Sequence, residues 1–138
     1  MIGILIATHG KFAEGILDSV ELIMGKQDNC QTLALCHGHS IESFSQDIYT
    51  SIKKLDQGHG VIVFTDLYSA SPYNQAALNY KKLVGIDYRL VSGVNLPMLI
   101  EAFNQRMIGS SLVETTMKSL ESGTEGIKEF LIELDKLK

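Results

Sequence analysis

The chain has 138 residues, of which 45% are apolar and 20% charged, and it contains two cysteines. This length suits one domain whose core is large enough to fold without a disulfide framework or a structural metal. Twelve Lys and Arg against sixteen Asp and Glu give a formal charge of −4, which argues against nucleic acid or an anionic membrane as the main partner. No apolar run approaches the ~18 residues of a membrane span, and the first residues lack the charged start of a signal peptide. We therefore expect a single domain over residues 1–138 in the cytoplasm.

Short apolar runs alternate with amphipathic stretches along the chain, which predicts strands alternating with helices. The predicted elements of the first half are, in order, a buried strand over 2–7, a helix from Phe12 that stops at Gly25, a strand over Thr32–Cys36, and a helix capped by Ser40 that breaks at 58–60. Those of the second half are a strand over Val61–Thr65, a helix with Ser71 as its cap and Pro72 as its first residue that runs to about Leu83, a strand over Tyr88–Val91, a short helix around Leu99–Phe103, a helix around Leu112–Leu120, and a last helix from Thr124.

This alternation predicts an α/β fold. The expected architecture is an open, doubly wound, mainly parallel sheet with strand order 2-1-3-4 and helices on both faces, with an added edge strand as an option. In such sheets, ligands bind at the carboxyl ends of the strands, where the strand order reverses. Attention therefore falls on the four segments that follow the strands: 8–11, 37–40, 66–72 and 93–97.

Two chemically active side chains follow the first and third predicted strands. His9 would extend from the end of a buried strand towards the crevice, where a neutral imidazole can act as a nucleophile. With strand order 2-1-3-4, Asp66 would lie beside it, and a carboxylate there can hold one ring nitrogen as N–H and leave the other free to attack. Taken alone, His9 could equally bond a neighbouring carbonyl, and Asp66 could simply form a turn.

Ser71 and the backbone amides after it form a predicted helix start that faces the same crevice. They could bind a phosphate or only cap the helix. A nucleophile, an orienting carboxylate and an anion-binding helix start together indicate a site that accepts a phosphoryl group on histidine. No nucleotide-binding glycine motif and no acidic pair after the first strand is present, which argues against a nucleotide site and an aspartyl-phosphate receiver. Thr8 stands where histidine phosphatases have a phosphate-clamping arginine, which argues against hydrolysis.

The cysteines and remaining histidines do not indicate a metal site, and no cofactor is expected. Their spacing matches no standard zinc signature. His37 and His39 could line the rim of the crevice, and His59 lies between glycines in a predicted turn. The residues concerned are Cys30, Cys36, His37, His39 and His59.

At these residues the sequence resembles the IIA component of the mannose family of the bacterial sugar phosphotransferase system (PTS). The resemblance covers nearly the whole chain and is strongest in residues 2–15 (IGILIATHGKFAEG), 63–74 (VFTDLYSASPYN) and 93–98 (GVNLPM). It implies that His9 is phosphorylated by the carrier HPr and passes the group to the EIIB component, which phosphorylates a sugar of the mannose, fructose, sorbose or hexosamine class during import. Membrane subunits would be only indirect partners.

The resemblance also implies a homodimer, with Asp66 as the partner of the active histidine and Ser71 at the phosphoryl site. We expect Gly10, Ser69 and Ala70 to form the loop around the phosphoryl group. The family usually has two glycines where this chain has Ser69 and Ala70, so the loop is expected to hold the phosphoryl group differently. An apolar rim that admits partners is predicted from Phe12, Leu67, Tyr68, Leu96 and Met98.

Two other interpretations remain open. One is a regulatory domain, or a phosphocarrier domain of the dihydroxyacetone-kinase type, with the same fold and phosphorylated at His9. Genes for EIIB and membrane components beside this one, or for kinase subunits, would separate these. The other is a phosphate-binding or phosphatase module, which would bind free phosphate or turn over a generic phosphate ester. The resemblance implies that sugar specificity lies in other components, so it indicates a class of sugar and not one sugar.

Overall fold

A computed structural model describes all 138 residues as a parallel sheet covered by helices on both faces. The elements, in chain order, are β1 (Gly3–His9), α1 (Phe12–Met24), β2 (Cys30–Leu35), α2 (Ile41–Leu55), β3 (Val61–Thr65), α3 (Ser71–Leu78), a 3₁₀ turn (Asn79–Lys81), β4 (Tyr88–Val91), α4 (Leu96–Met107), α5 (Leu112–Glu125) and α6 (Phe130–Asp135). No helix is long and apolar enough to span a membrane.

The sheet has four strands in the order β2-β1-β3-β4, and every neighbouring pair is parallel. The predicted fold class and strand order are confirmed, but the optional added edge strand is absent. β1 lies in the middle of the sheet, which explains its continuous apolar sequence: every residue from Gly3 to Thr8 is buried. His9 is the first exposed residue of this strand.

Successive strand residues point to opposite faces and build two separate cores. Ile4, Ile6 and Phe64 pack on one face against α1, α4 and the start of α5. Leu5, Ala7 and Val63 pack on the other face against α2 and α3. This division follows from the period of two residues in a strand. It fixes β1 from both sides and leaves only its carboxyl end open.

Several predicted boundaries differ from the structure. β1 covers Gly3–His9 rather than residues 2–7. β2 begins at Cys30 rather than Thr32 and ends before Cys36, and the third helix ends as a 3₁₀ turn at Lys81 rather than as a helix near Leu83. The largest error concerns the last two helices. α5 continues through Gly123 to Glu125, since this glycine lies in close contact with the Met98 side chain and is accommodated inside the helix. α6 therefore begins only at Phe130, not at Thr124.

Candidate active site at the carboxyl ends of β1 and β3

His9 and Asp66 meet where β1 and β3 end. The register pairs Ala7 with Thr65, so Asp66, one residue beyond Thr65, lies next to the end of β1, where His9 is two residues beyond Ala7. His9 Nδ1 lies 2.7 Å from Asp66 Oδ2, and the backbone N–H of His9 donates to the same oxygen at 3.0 Å. The juxtaposition predicted from the strand order is therefore present in the structure.

The hydrogen bonds to Asp66 favour its ionised form and select the tautomer of the His9 ring. Partial burial raises the pKa of the Asp66 carboxyl, but the hydrogen bonds from the His9 ring, the His9 backbone and the Leu67 backbone together hold this pKa below its ordinary value. Ionised Asp66 accepts only, so Nδ1 of His9 carries the proton that it shares with Asp66. In the neutral ring this tautomer leaves the lone pair on Nε2, and the side chain is 47% exposed.

Thr8 contributes to the site in a way that the sequence did not predict; it stands out in the sequence only because histidine phosphatases have an arginine at this place. Its side chain is fully buried, and its Oγ1 accepts the backbone N–H of Ala13 at 2.8 Å. This bond satisfies one of the free N–H groups at the start of α1, where the N-cap residue Lys11 provides no side-chain bond. The position of a threonine between a buried strand and the start of a helix could have indicated this capping role. Thr8 thus fixes the turn that presents His9.

Ser71 is not the cap of α3, contrary to the prediction. Ala70 occupies the N-cap position, with an extended backbone and no side-chain bond, and Ser71 is the first helical residue, followed by Pro72. The Ser71 hydroxyl makes no hydrogen bond to His9 or Asp66, the two residues with which it was grouped. Because it is not engaged in capping, this half-buried hydroxyl is left available to a ligand.

The two residues that replace the usual glycines differ in their backbone geometry. Ser69 has a φ of 64°, in the left-handed region that favours glycine, and the side chain of Asn74 donates to its carbonyl at 2.8 Å. Ala70 has a φ of −86°, which any residue adopts. The expected effect of the replacement is therefore confined to Ser69. Gly10, the third predicted loop residue, also has a positive φ of 55°, and its N–H donates to Leu35 O at 2.9 Å.

An open depression of about 400 Å³ lies beside His9. Gly10, Leu35, Cys36 and His37 complete its lining, so the segment after β2 contributes to the same edge of the sheet. His39 instead turns away to pack edge-on against Phe44 and lies 3.7 Å from Asp47. Burial raises the pKa of the Cys30 thiol to about 12, and this residue lies under α1 and α4 rather than at the site.

The predicted apolar rim is present only in part. Phe12, Leu67 and Tyr68 are exposed, and Tyr68 packs edge-on against Tyr73 with the ring centroids 5.0 Å apart. Leu96 is half-buried against the core. The inclusion of Met98 was wrong: it is 5% exposed, because α5 covers it at Gly123.

Comparison with known proteins gives a consistent result. A family profile described as "PTS system fructose IIA component" matches residues 3–120. The mannose-specific EIIAB component of Escherichia coli K12 is 32% identical over 130 residues, which are 92% of this chain and 39% of that protein. The sorbose-specific EIIA component of Lacticaseibacillus casei is 30% identical over 91% of both chains.

Solved structures show the same relationship. The crystal structure of the phosphotransferase system component EIIA from Streptococcus agalactiae superposes with a TM-score of 0.83 at 31% identity and covers 96% of this chain and 99% of that one. The predicted family is confirmed by these matches together with the all-parallel sheet. The chain belongs to the mannose family of PTS EIIA components.

Proposed function

We propose that His9 is the phosphoryl carrier of this protein: Nε2 accepts a phosphoryl group from phosphohistidine on HPr and passes it to an EIIB domain. The observation that carries this proposal is the bond between His9 Nδ1 and Asp66 Oδ2 at 2.7 Å, which leaves Nε2 free at the exposed end of a rigid strand. Membership of the EIIA family supports the same role, since EIIA components act as phosphotransferases between HPr and EIIB.

The transfer needs little chemistry beyond positioning. The Nε2 lone pair of His9 attacks phosphorus in line, a new P–N bond forms, and the P–N bond to the donor imidazole breaks with its electron pair going to the donor. The His9 ring gains positive charge as this bond forms, and the Asp66 carboxylate at Nδ1 stabilises it. In the second transfer a nucleophile of EIIB bonds to phosphorus, and the P–N bond to His9 breaks with its electron pair returning to Nε2. The negative charge of Asp66 also repels the phosphoryl oxygens, which prevents them from being held too tightly.

The start of α3 supports the phosphoryl oxygens in this proposal. Ser71 contributes a hydroxyl that is not used for capping, and its backbone N–H lies in the first turn of the helix, where no intrahelical acceptor exists. The positive end of the helix dipole favours an anion at this position. These groups offset part of the repulsion between Asp66 and the phosphoryl group.

The proposed setting is the cytoplasm, as a step in sugar uptake. The relatives are named for mannose, fructose and sorbose. We place this chain in the same class of sugar and assign the choice of sugar to the other components. Phe12, Leu67 and Tyr68 are exposed and apolar, and they are the proposed contact surface for HPr and EIIB.

A homodimer is the proposed assembly. α6 has no buried residue. The exposed apolar side chains of this terminal segment and of the outer face of α5 are Val113, Met117, Leu120, Ile127, Phe130, Leu131, Ile132, Leu134 and Leu137. Such a surface is larger than scattered apolar residues require, and its burial against a second copy is its proposed role.

Intact-mass spectrometry at neutral pH tests the carrier function. The protein is incubated with phosphoenolpyruvate, enzyme I and HPr, beside the variants His9→Ala and His59→Ala. We expect a gain of one phosphoryl group in the wild type and in His59→Ala, lost in acid and stable in alkali, and no gain in His9→Ala. His59 is an exposed histidine remote from the site and is the matched control. A phosphoryl gain that persists in His9→Ala, or no gain in the wild type with competent donors, would contradict the proposal.

A further inference from the structure

The segment between Asp66 and α3 is fixed at two places. At its start, the carbonyls of Thr65 and Asp66 accept the N–H groups of Val94 and Gly93 at 3.0 and 3.1 Å. The following residues turn back on themselves, and the bond that would close this turn, from Ala70 N–H to Leu67 O, is long at 3.4 Å. The backbone of the turn itself therefore provides little restraint on the approach to α3.

Asn74 supplies the second anchor. Its side-chain Nδ2 donates to Ser69 O at 2.8 Å, and its backbone N–H donates to Ala70 O at 2.9 Å. The side-chain bond is the only one in the structure made to the carbonyl of Ser69 by a side chain, and Ser69 is the residue with the positive φ of 64°. A turn with a positive φ at its third residue ordinarily requires glycine there. Here the Asn74 side chain holds a residue with a Cβ in that conformation.

The direction of the Ser69 carbonyl determines where the start of α3 points. Fixing this carbonyl fixes the plane of the peptide between Ser69 and Ala70, because the peptide unit is planar. The next peptide, which carries the Ser71 N–H, is held by the bond from the Asn74 backbone N–H to Ala70 O, so the two bonds made by Asn74 together orient the start of α3. Asn74 is itself exposed and takes no part in either core, so it acts on the loop rather than on the fold.

We infer that Asn74 is a positioning residue for phosphoryl transfer. It holds the Leu67–Ser71 loop in the left-handed turn at Ser69, so that the free groups of Ser71 meet the phosphoryl group on His9. This inference rests on the proposed carrier function of His9. It goes beyond it by assigning a task to an amide that touches neither the histidine nor its carboxylate.

The test is a rapid-quench measurement of phosphoryl transfer from phospho-HPr to three variants and the wild type. We expect Asn74→Ala to lower the rate at saturating phospho-HPr about tenfold. This is the effect of losing one well-formed hydrogen bond, from Ser71 to the phosphoryl group, in the transition state. KM does not serve as the control, because Leu67 and Tyr68 of the proposed contact surface lie in the same loop; the rate is therefore compared at saturating phospho-HPr, where weaker docking does not enter it. The midpoint of urea unfolding should stay close to that of the wild type. Gln75→Ala is the matched control, because the neighbouring amide makes no side-chain hydrogen bond, and its rate should be that of the wild type.

A rescue variant separates positioning from a general structural effect. In Ser69→Gly/Asn74→Ala, glycine adopts the positive φ without strain, so the turn no longer depends on the amide, and most of the lost rate should return. If the wild type accepts a phosphoryl group on His9 but Asn74→Ala transfers at the same rate, or if the loss is not rescued by glycine, the positioning role is overturned while the carrier function stands. If the wild type is not phosphorylated on His9 at all, the carrier function fails, and the positioning role fails with it.

Discussion

A single carboxylate oxygen sets the chemistry of His9. Asp66 Oδ2 accepts both the ring Nδ1–H and the backbone N–H of His9, and Oδ1 accepts the N–H of Leu67. Two bonds from one residue fix the rotation of the imidazole as well as its tautomer. The cost is a negative charge bonded to the ring that accepts a negatively charged phosphoryl group, and a carrier tolerates that cost because it must also release the group.

The first prediction at the residue scale concerns Asp66→Asn. An amide is isosteric but can present its N–H₂ to Nδ1, which would place the ring proton on Nε2 and remove the nucleophilic lone pair. We expect transfer from phospho-HPr to slow by about 10–100-fold, measured by rapid quench. Asp47→Asn is the control, since Asp47 pairs with His39 away from the site, and its rate should be unchanged. An unimpaired Asp66→Asn variant would show that the orientation of the ring does not limit transfer.

The lowered pKa of Asp66 has a consequence for stability in acid. Because the pKa is lower in the folded protein than in the unfolded chain, ionised Asp66 stabilises the folded state at pH values above the unfolded pKa of about 3.9, and this contribution disappears as the pH falls through the folded value. Urea unfolding of the wild type and Asp66→Asn should give free energies whose difference is largest above about pH 5. The difference should shrink steadily as the pH is lowered below about 4. A difference that does not change with pH would contradict the direction of the shift.

At the scale of elements, the sequence predicts the order of all four strands and the bounds of β3 and β4, but not the bounds of β1, β2 and several helices. β3 and β4 have the predicted bounds, because a buried parallel strand is a short run of apolar residues and the run ends where the strand ends. The meeting of His9 and Asp66 follows from strand order alone. The error in the bounds of α5 and α6 depends on a contact between distant segments. Gly123 lies inside α5 at a place where the Met98 side chain leaves no room for a Cβ, and no local pattern shows this.

The start of α3 illustrates a second limit. Ser71 before Pro72 has the composition of a helix cap, yet the helix begins one residue earlier because the turn at Ser69 delivers Ala70 in an extended conformation. That turn depends on the side chain of Asn74, five positions further along the chain. Local preference predicted a helix start here, and a hydrogen bond within the folded loop selected its first residue.

A glycine at the entry to β3 gives the prediction at this scale. Gly60 has a φ of 83°, and a Cβ there would lie 2.6 Å from Asp87 O and 2.7 Å from Leu112 Cδ2. Gly60→Ala should lower the free energy of unfolding by about 3 kcal/mol or more, since backbone strain and overlap with a carbonyl add together. Gly58→Ala is the matched control: its φ of 92° is equally unfavourable, but a Cβ there would meet nothing within 4 Å. Urea unfolding should therefore show a loss of only about 1–2 kcal/mol for Gly58→Ala. Equal losses would contradict the role of the close contact.

For the whole molecule, the prediction concerns the proposed homodimer. Light scattering after size-exclusion chromatography should give twice the chain mass for the wild type. Phe130→Glu/Leu131→Glu should shift the distribution towards monomer, since charges in an apolar interface are costly to bury. Leu22→Glu/Val84→Glu is the control, because both side chains are 88% exposed and lie outside the C-terminal segment. A monomeric wild type at high concentration would exclude the dimer.

The mounting of His9 also determines how a partner can sense its state. The strand that carries His9 is bonded to a neighbour on each side: the N–H of Gly10 donates to Leu35 O, and Asp66 holds the imidazole. Because the end of β1 is held on both sides, phosphorylation of His9 has no easy way to shift the backbone. The phosphorylated and unphosphorylated forms of the protein should therefore have the same backbone conformation. A docking protein must then distinguish them by the negative charge of the phosphoryl group.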